Sequence, residues 1–156
     1  MVEALLELYP FDQFYIADLD AIQGRGNHRE MISLVRQRHP QLKLWLDAGI
    51  NQANDLHSWQ DIQLDMVIGS ESLDSLTDFE SIKKCCPAQN YVLSLDFTAQ
   101  GFQGPDALLH QSQCWPQRLI AMTLSRVGSN SGPDEQVLRG LIDRAHGRAI
   151  YAAGGV

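Results

Sequence analysis

Short apolar runs recur along this chain, and each one ends in a carboxylate, a hydroxyl or a glycine. The last residues of successive runs are about 22 to 31 positions apart, which is the spacing of a strand, a helix and two loops. Because the runs are apolar throughout instead of alternating, they predict parallel strands that are buried on both faces. The six runs are 14–18, 44–47, 66–69, 92–96, 119–123 and 149–154.

Helical patterns separate most of these runs. The segments with apolar side chains at helical spacing are 1–9, 27–39, 73–85 and 133–145. Ser72 or Asp74 is the expected N-cap of the third segment. Residues 51–59 predict a short helix, and 105–113 an irregular connection. No linker or low-complexity stretch divides the chain, so residues 1–156 predict one domain.

Alternating strands and helices of this kind form either an open doubly wound sheet or a closed barrel. No G-x-G-x-x-G motif follows the first strand, and the lone Gly24-Arg25-Gly26 is too short to replace it. A barrel of eight units usually needs about 250 residues. Six units in 156 residues therefore predict an incomplete TIM-type (β/α)8 barrel with parallel strands, truncated at both ends. In such barrels the active site lies at the carboxyl ends of the strands.

Composition narrows the classes of partner and compartment. The net charge of −7 disfavours nucleic acid, because binding to a phosphate backbone needs a basic face. No run of 18 apolar residues predicts a membrane span, and the acidic start lacks the basic region of a signal peptide. Three cysteines without a C-x-x-C motif indicate a reducing, cytoplasmic compartment. The five histidines lack metal-ligand spacing, so we expect neither a metal nor another cofactor.

Two strand ends carry side chains suited to proton transfer. Asp96 follows five residues that we expect to be buried, and a carboxylate there suits general acid–base catalysis. A structural Asp that caps the next turn is the alternative. The Thr123 hydroxyl can donate to or accept from a reacting hydroxyl or a phosphate, although threonine also favours strands for its own sake.

Glycines at other strand ends suggest anion binding. Gly154 and Gly155 let the backbone approach a ligand closely, and loops of this kind often hold a phosphate in barrels. A plain tight turn explains them equally well. Gly49 and the pair Gly69-Ser70 offer the same chemistry on the opposite side of the barrel mouth.

Five segments, taken in order, form a recognisable set. They read IADLDAIQGRGNHRE (16–30), VIGSESL (67–73), SLD (94–96), TLSRVGSNSGPD (123–134) and AAGGV (152–156). Together they resemble the HisA/HisF barrels of histidine biosynthesis, most closely the isomerase (HisA) branch. The set extends from the first helix to the seventh strand, so the resemblance implies strands two to seven of a (β/α)8 barrel.

The resemblance also implies a reaction and a set of site residues. The family reaction is an Amadori rearrangement of an aminoaldose to an aminoketose on a substrate with two phosphates. Asp96 matches the family's acid and Thr123 its threonine, while the base on strand one has no counterpart here. The implied phosphate-binding residues are Gly49, Gly69, Ser70, Gly154 and Gly155. Further expected substrate-site residues are Asp18, Asp47, Gly128 and Ser129.

Several positions depart from the family pattern. The third-strand signature Gly-Gly-Gly-Ile-Arg is replaced by Asp47-Ala-Gly-Ile-Asn51, which puts a carboxylate where phosphate binding is expected and removes an arginine. Thr98 and Val127 replace an arginine and an aspartate. A divergent enzyme with another phosphorylated substrate, for example in one-carbon (methanopterin-type) cofactor biosynthesis, is therefore one alternative, and a non-catalytic binding module is another. Open barrel edges predict association with another copy of the chain.

Overall fold

The computed structural model describes residues 2–86 and 91–155. The strands are β1 (Gln13–Ala17), β2 (Lys43–Asp47), β3 (Asp65–Gly69), β4 (Tyr91–Thr98), β5 (Gly101–Gln103), β6 (Arg118–Thr123) and β7 (Ala149–Ala153). The helices are α1 (Val2–Leu8), α2 (Leu19–Ile22), α3 (Arg29–Arg38), α4 (Leu76–Cys85), α5 (Asp106–His110) and α6 (Glu135–Ala145).

The strands form one curled sheet, a half-barrel. Six strands pair in parallel in the order β1-β2-β3-β4-β6-β7, and the short β5 folds back to pair antiparallel with β4. All six predicted runs are strands, and their parallel pairing confirms the α/β incomplete barrel. Their carboxyl ends emerge at one edge of the sheet, which we call the mouth.

The outer face of the sheet is covered by helices. Side chains of α3, α4 and α6, among them Ile32, Phe79 and Leu141, pack with the outward residues of the central strands in one buried cluster. Two of those strand residues, Ile68 and Leu93, are completely buried. Burial of apolar area on this face supplies most of the driving force for folding.

The helix boundaries differ from expectation where side chains cap backbone groups. Ser75, not Ser72 or Asp74, is the N-cap of α4, because its Oγ accepts the Asp78 N–H at 3.2 Å. A 3₁₀ turn at Ser70–Ser72 occupies the expected start and delays the helix. The expected short helix at 51–59 is a 3₁₀ helix over Ala53–Ser58, and the connection expected to be irregular contains α5.

The concave inner face is filled at mid-height by an aromatic contact. The rings of Trp45 on β2 and Tyr151 on β7 meet edge-to-face with centroids 4.7 Å apart, although three strands separate β2 from β7 in the parallel order. Below them, Arg118 pairs with Asp65 and lies 5.6 Å from the Trp45 ring centroid. This layer forms a floor beneath the mouth.

Burial on both faces, predicted for every strand, is wrong for the two edge strands. Tyr15 on β1 and Tyr151 on β7 each remain 41% exposed. Within the described ranges each of these strands pairs with one neighbouring strand, so its other edge and part of its side chains stay uncovered. None of the helices in residues 2–86 and 91–155 combines the length and the apolar character needed to span a bilayer.

Candidate active site at the mouth of the half-barrel

The Asp96 carboxylate is held between two neighbouring strands. It is only 4% exposed. Ser94 donates to Oδ1 at 2.7 Å and can reach it because residues two apart on β4 share a face. Ser70 Oγ lies 3.1 Å from Oδ2, and the Glu71 N–H donates to the same oxygen over 3.3 Å. The carboxylate is thus oriented by hydroxyl groups from its own strand and from the end of β3.

Ser70 has one hydroxyl proton and two acceptors for it. Its Oγ lies 2.6 Å from the Gln103 carbonyl oxygen, closer than Oδ2 of Asp96, and it accepts the Asp96 N–H at 2.9 Å. The shorter contact makes Gln103 the preferred acceptor, because a hydroxyl donates one hydrogen bond at a time. Asp96 Oδ2 therefore keeps capacity for a further partner.

A second carboxylate, Asp47 at the end of β2, lies on the same side of the mouth. Its Oδ2 accepts a hydrogen bond from Tyr15 Oη at 3.0 Å and its Oδ1 accepts the Gly49 N–H at 3.2 Å. Burial raises the pKa of Asp47, the nearby Asp96 charge adds to the rise, and the two hydrogen bonds oppose it. Burial and the Asp47 carboxylate also raise the pKa of Tyr15.

A third carboxylate completes an acidic side of the mouth. Glu71 is exposed, and its pKa is raised by partial desolvation and by the charges of Asp96 and Asp47. The mutual influence of these three groups means that the mouth around β2, β3 and β4 is electronegative. We call Asp47, Glu71 and Asp96 the acidic side.

Asp18, at the end of β1, has a structural role. It is 3% exposed and caps α2 by accepting the Ala21 N–H at 3.2 Å. It also accepts the His28 N–H at 2.7 Å and faces His28 Nδ1 at 2.9 Å. Burial alone would raise the pKa of Asp18, but these hydrogen bonds outweigh it and hold the pKa below its usual range. Contact with a substrate is not needed to explain this residue.

Thr123 and the two terminal glycines lie together on the other side of the mouth. Thr123 is buried beside β4, with Phe97 as its register partner, and within the described residues its hydroxyl makes no hydrogen bond, to Asp96 or to any other group. A methyl group added at Gly154 would lie 2.4 Å from the Thr123 carbonyl oxygen, and one at Gly155 would lie 2.0 Å from the Gly132 carbonyl oxygen. Both glycines have positive φ. Close packing therefore accounts for both, and their phosphate-binding role remains a prediction.

The glycines on the acidic side are not alike. Gly49 has φ +64°, and a methyl group there would lie 2.8 Å from the Ile22 Cα, so the backbone requires glycine. Gly69 has φ −77°, and a methyl group there would make only ordinary contacts, the nearest at 3.5 Å to Asp96 Oδ2. Neither backbone strain nor crowding explains Gly69. Its effect is to leave space beside the Asp96 carboxylate.

The loop after β6 contains the remaining expected site residues. Gly128 has φ +72° and open space around it, while Ser129 Oγ lies 2.8 Å from the Arg126 carbonyl and 2.7 Å from Ser131 Oγ. Arg126 holds the loop closed by donating to the Gly132 and Pro133 carbonyls. We call residues 126–134 together with Gly154 and Gly155 the glycine side of the mouth.

Outside the mouth, the structure has a groove but no metal-binding cluster among the described residues. Residues 2–86 and 91–155 contain no group of three or more His, Cys, Asp or Glu side chains placed to hold a metal ion. A groove of about 800 Å³ lies at the amino ends of β2 and β3, opposite the mouth, with Leu42, Trp59 and Met66 in its wall. It forms where a 3₁₀ helix, not a full helix, connects those two strands.

Sequence reasoning missed three members of the mouth. Tyr15 donates a hydrogen bond to Asp47, and Ser94 donates one to Asp96. The charges of Asp47 and Asp96 raise the pKa of Glu71. The period of two along a strand could have found Ser94, because it precedes Asp96 by two residues. The other two depend on pairing between strands, which no local pattern shows.

Comparison with known proteins assigns the chain to a family. A search of curated proteins found no match to the chain. A sequence model of a family described as "Histidine biosynthesis protein" matches residues 3–156. The match covers almost the whole length of the chain. The chain belongs to the histidine biosynthesis protein family.

Proposed function

We propose that this chain is a HisA-like barrel enzyme acting on a phosphorylated, phosphoribosyl-type small molecule, with Asp96 as its acid–base residue. The observation that carries the proposal is the Asp96 carboxylate itself. It is buried at the carboxyl end of β4, oriented by Ser94 and Ser70, and its Oδ2 has only long contacts to protein donors. Membership of the family supports a barrel enzyme of histidine-biosynthesis type.

The family reaction suits a residue of this kind. Converting an aminoaldose to an aminoketose requires a proton for the ring oxygen as the ring opens and removal of the proton on C2, so an acid and a base must act in turn. A positioned carboxyl group contributes roughly 10² to 10⁴-fold to such proton transfers. The Thr123 hydroxyl, which makes no hydrogen bond within residues 2–86 and 91–155, is the proposed partner of a reacting oxygen.

The space beside Gly69 supports a ligand at Asp96. Because neither φ nor crowding requires glycine there, the missing side chain is best explained by something that must approach Oδ2. A substrate atom at this point would lie within reach of the carboxylate. The proposed phosphate contacts are the backbone amides of the glycine side, where positive-φ glycines let a ligand approach the chain.

A second function, a divergent enzyme with another phosphorylated substrate, is favoured by one observation. Asp47 places a carboxylate at the end of β2, where the resemblance leads us to expect glycine, and the structure shows that this carboxylate is held in the mouth by Tyr15 and Gly49. One-carbon cofactor biosynthesis is one setting for such a substrate. A barrel that only binds its ligand is the remaining alternative.

Complementation of a bacterial histidine auxotroph that lacks the isomerase tests the leading proposal. The wild-type gene should restore growth, Asp96→Asn should abolish it, and the exposed helix variant Asp143→Asn should behave as wild type. Gly69→Ala should slow growth while the protein stays folded, whereas Gly140→Ala, on α6 with open space around it, should not. No growth with soluble, folded wild type favours the divergent enzyme. Full activity of Asp96→Asn would remove the acid–base role.

A further inference from the structure

We propose that the substrate carries one phosphate and that its unphosphorylated, hydroxylated end lies against Asp47. This inference rests on the second function proposed above, the divergent enzyme, since it takes the mouth to be the site of a phosphorylated substrate other than the family's bisphosphate. It goes further because it assigns opposite chemistry to the two sides of the mouth: hydroxyl recognition on the acidic side and phosphate recognition on the glycine side. The bisphosphate implied by the family resemblance would not fit.

The backbone donor at the end of β2 is already in use. The Gly49 N–H, which a phosphate on this side would need, donates to Asp47 Oδ1 at 3.2 Å. The other oxygen of Asp47 accepts from Tyr15. A phosphate here would have to break the Gly49 contact and then lie beside a carboxylate, and both changes oppose binding.

The cations of this region do not offset that charge. Arg25 and His28, in the connection between β1 and α3, are paired with Asp20 and Asp18. Arg29, at the start of α3, is paired with Asp61. The acidic side therefore repels a second phosphate. In the part of the chain that the structure describes, each of these three basic side chains is already paired with a carboxylate.

An unpartnered donor on the same strand indicates what does bind. Trp45 is almost fully buried, and its Nε1 has no hydrogen-bond partner within residues 2–86 and 91–155. It precedes Asp47 by two residues on β2, so both side chains lie on the inner face. Buried N–H donors are normally satisfied, so an orphaned one points to a ligand oxygen or a bound water.

The donor and the carboxylate together select hydroxyl groups. A phosphate oxygen could accept from the Trp45 N–H but would be repelled by Asp47. An ammonium group could donate to Asp47 but has no lone pair for the N–H. A hydroxyl both donates and accepts, so a hydroxylated chain or sugar ring suits both residues.

The glycine side lacks the excess of negative charge that marks the acidic side. Arg126 and Asp134 are the two charged residues of the loop 126–134 and pair with each other, so the loop carries no net charge to repel a phosphate. The Gly132 N–H donates to the Gly155 carbonyl at 2.7 Å, but Gly128 has positive φ and open space around it, so a ligand can approach the chain there. A single phosphate placed here leaves the rest of the substrate to extend toward Asp47 and Asp96.

Calorimetric titration of the full chain with two stable probes tests this arrangement. Fructose 6-phosphate has one phosphate and a hydroxylated end, and fructose 1,6-bisphosphate has a phosphate at both ends. The wild type should bind the monophosphate at least about tenfold more tightly, a ratio that corresponds to one well-placed charge repulsion. Asp47→Asn, which keeps the shape but removes the charge, should reduce this preference about tenfold, and Asp143→Asn should not change it.

Two further measurements separate the possible outcomes. Trp45→Phe should weaken the monophosphate severalfold while leaving the affinity for inorganic phosphate unchanged. Tighter binding of the bisphosphate by the wild type, or an unchanged preference in Asp47→Asn, would overturn this inference and leave the proposed function standing. If the folded protein binds neither sugar phosphate nor inorganic phosphate, the proposed function is itself wrong.

Discussion

Asp18 and Asp96 are both buried carboxylates near the carboxyl end of a strand, but they have different partners. Each lies at the carboxyl end of a strand and is nearly buried, at 3% and 4% exposure. Asp18 accepts from two backbone N–H groups and faces an imidazole, all within ten residues of it in the chain. Asp96 accepts from the Ser94 hydroxyl on its own strand and lies beside the Ser70 hydroxyl, 26 residues away, which prefers the Gln103 carbonyl as its acceptor. A strand-end carboxylate is therefore not a functional residue by position alone.

The chemistry of the partners explains what each carboxylate is free to do. A backbone N–H has a fixed direction and can only donate, so Asp18 must keep both oxygens as acceptors. A hydroxyl can rotate to donate or accept, so Ser94 restricts the chemistry of Asp96 less than a backbone N–H would. A residue that gives and takes a proton needs hydroxyl partners that can reorient in this way.

The same isosteric change should therefore cost much more stability at Asp18 than at Asp96. Asp18→Asn places an NH₂ group against a backbone N–H or the His28 ring and should lower the free energy of unfolding by about 2 kcal/mol, the usual cost of an unsatisfied buried donor. Asp96→Asn should change it by less than about 0.5 kcal/mol, because Ser94 and Ser70 can reorient and repulsion from Asp47 and Glu71 is relieved. Urea unfolding of both variants measures the difference.

Asp143→Asn, on the exposed side of α6, is the matched control for loss of one negative charge. A loss of stability in Asp96→Asn as large as in Asp18→Asn would show that both carboxylates are structural. The contrast between the two positions would then disappear, and with it the main support for chemistry at Asp96.

Ser70 should contribute less to stability than Asp18 but more than a surface serine. Ser70→Ala removes the donor to the Gln103 carbonyl and the acceptor of the Asp96 N–H, and both partners are left inside the protein. We expect a loss of about 1 to 2 kcal/mol in the free energy of unfolding, from the desolvation of unpaired backbone groups. Thermal and urea unfolding would check this value.

Ser81→Ala is the control, because the Ser81 hydroxyl, on the exposed side of α4, donates to the Thr77 carbonyl of its own helix. Equal effects of the two serine variants would mean that the network around Asp96 is not rigid. Asp96 would then lack the fixed orientation that separates it from an ordinary surface carboxylate.

The fold was largely predictable because its signal is local. Each strand is an apolar run that ends in a polar residue or a glycine, and the spacing between runs gives the alternating architecture. Helix starts were less predictable, since Ser72, Asp74 and Ser75 are all plausible caps by residue type. Only the 3₁₀ turn at Ser70–Ser72 selects the last of them.

The site was predictable in its members but not in their roles. Asp18, Asp47 and Asp96 look alike in sequence, each closing an apolar run. What separates them is Tyr15 on the strand beside Asp47, His28 folded back onto Asp18, and β5 bringing Gln103 to Ser70. These contacts depend on strand register and loop path, which a single sequence does not specify.

The smallest expected effect is the pH dependence of the Asp18–His28 pair. The hydrogen bond to Asp18 and its charge raise the pKa of His28 above 6.5, so the stability that the pair contributes is complete below that pH and is lost as the pH rises through the raised pKa. The pKa of Asp18 is lowered, so its contribution to stability is present above pH 3.8 and is lost as the pH falls through the lowered value.

The difference in melting temperature between the wild type and His28→Gln should therefore be larger at about pH 5.5 than at about pH 8.5, on either side of the imidazole range. His57→Gln should show no such change, because the His57 ring is hydrogen-bonded to the Asn54 carbonyl and not to a carboxylate in the described residues. A difference that does not vary with pH would mean that His28 supports Asp18 through its backbone N–H alone.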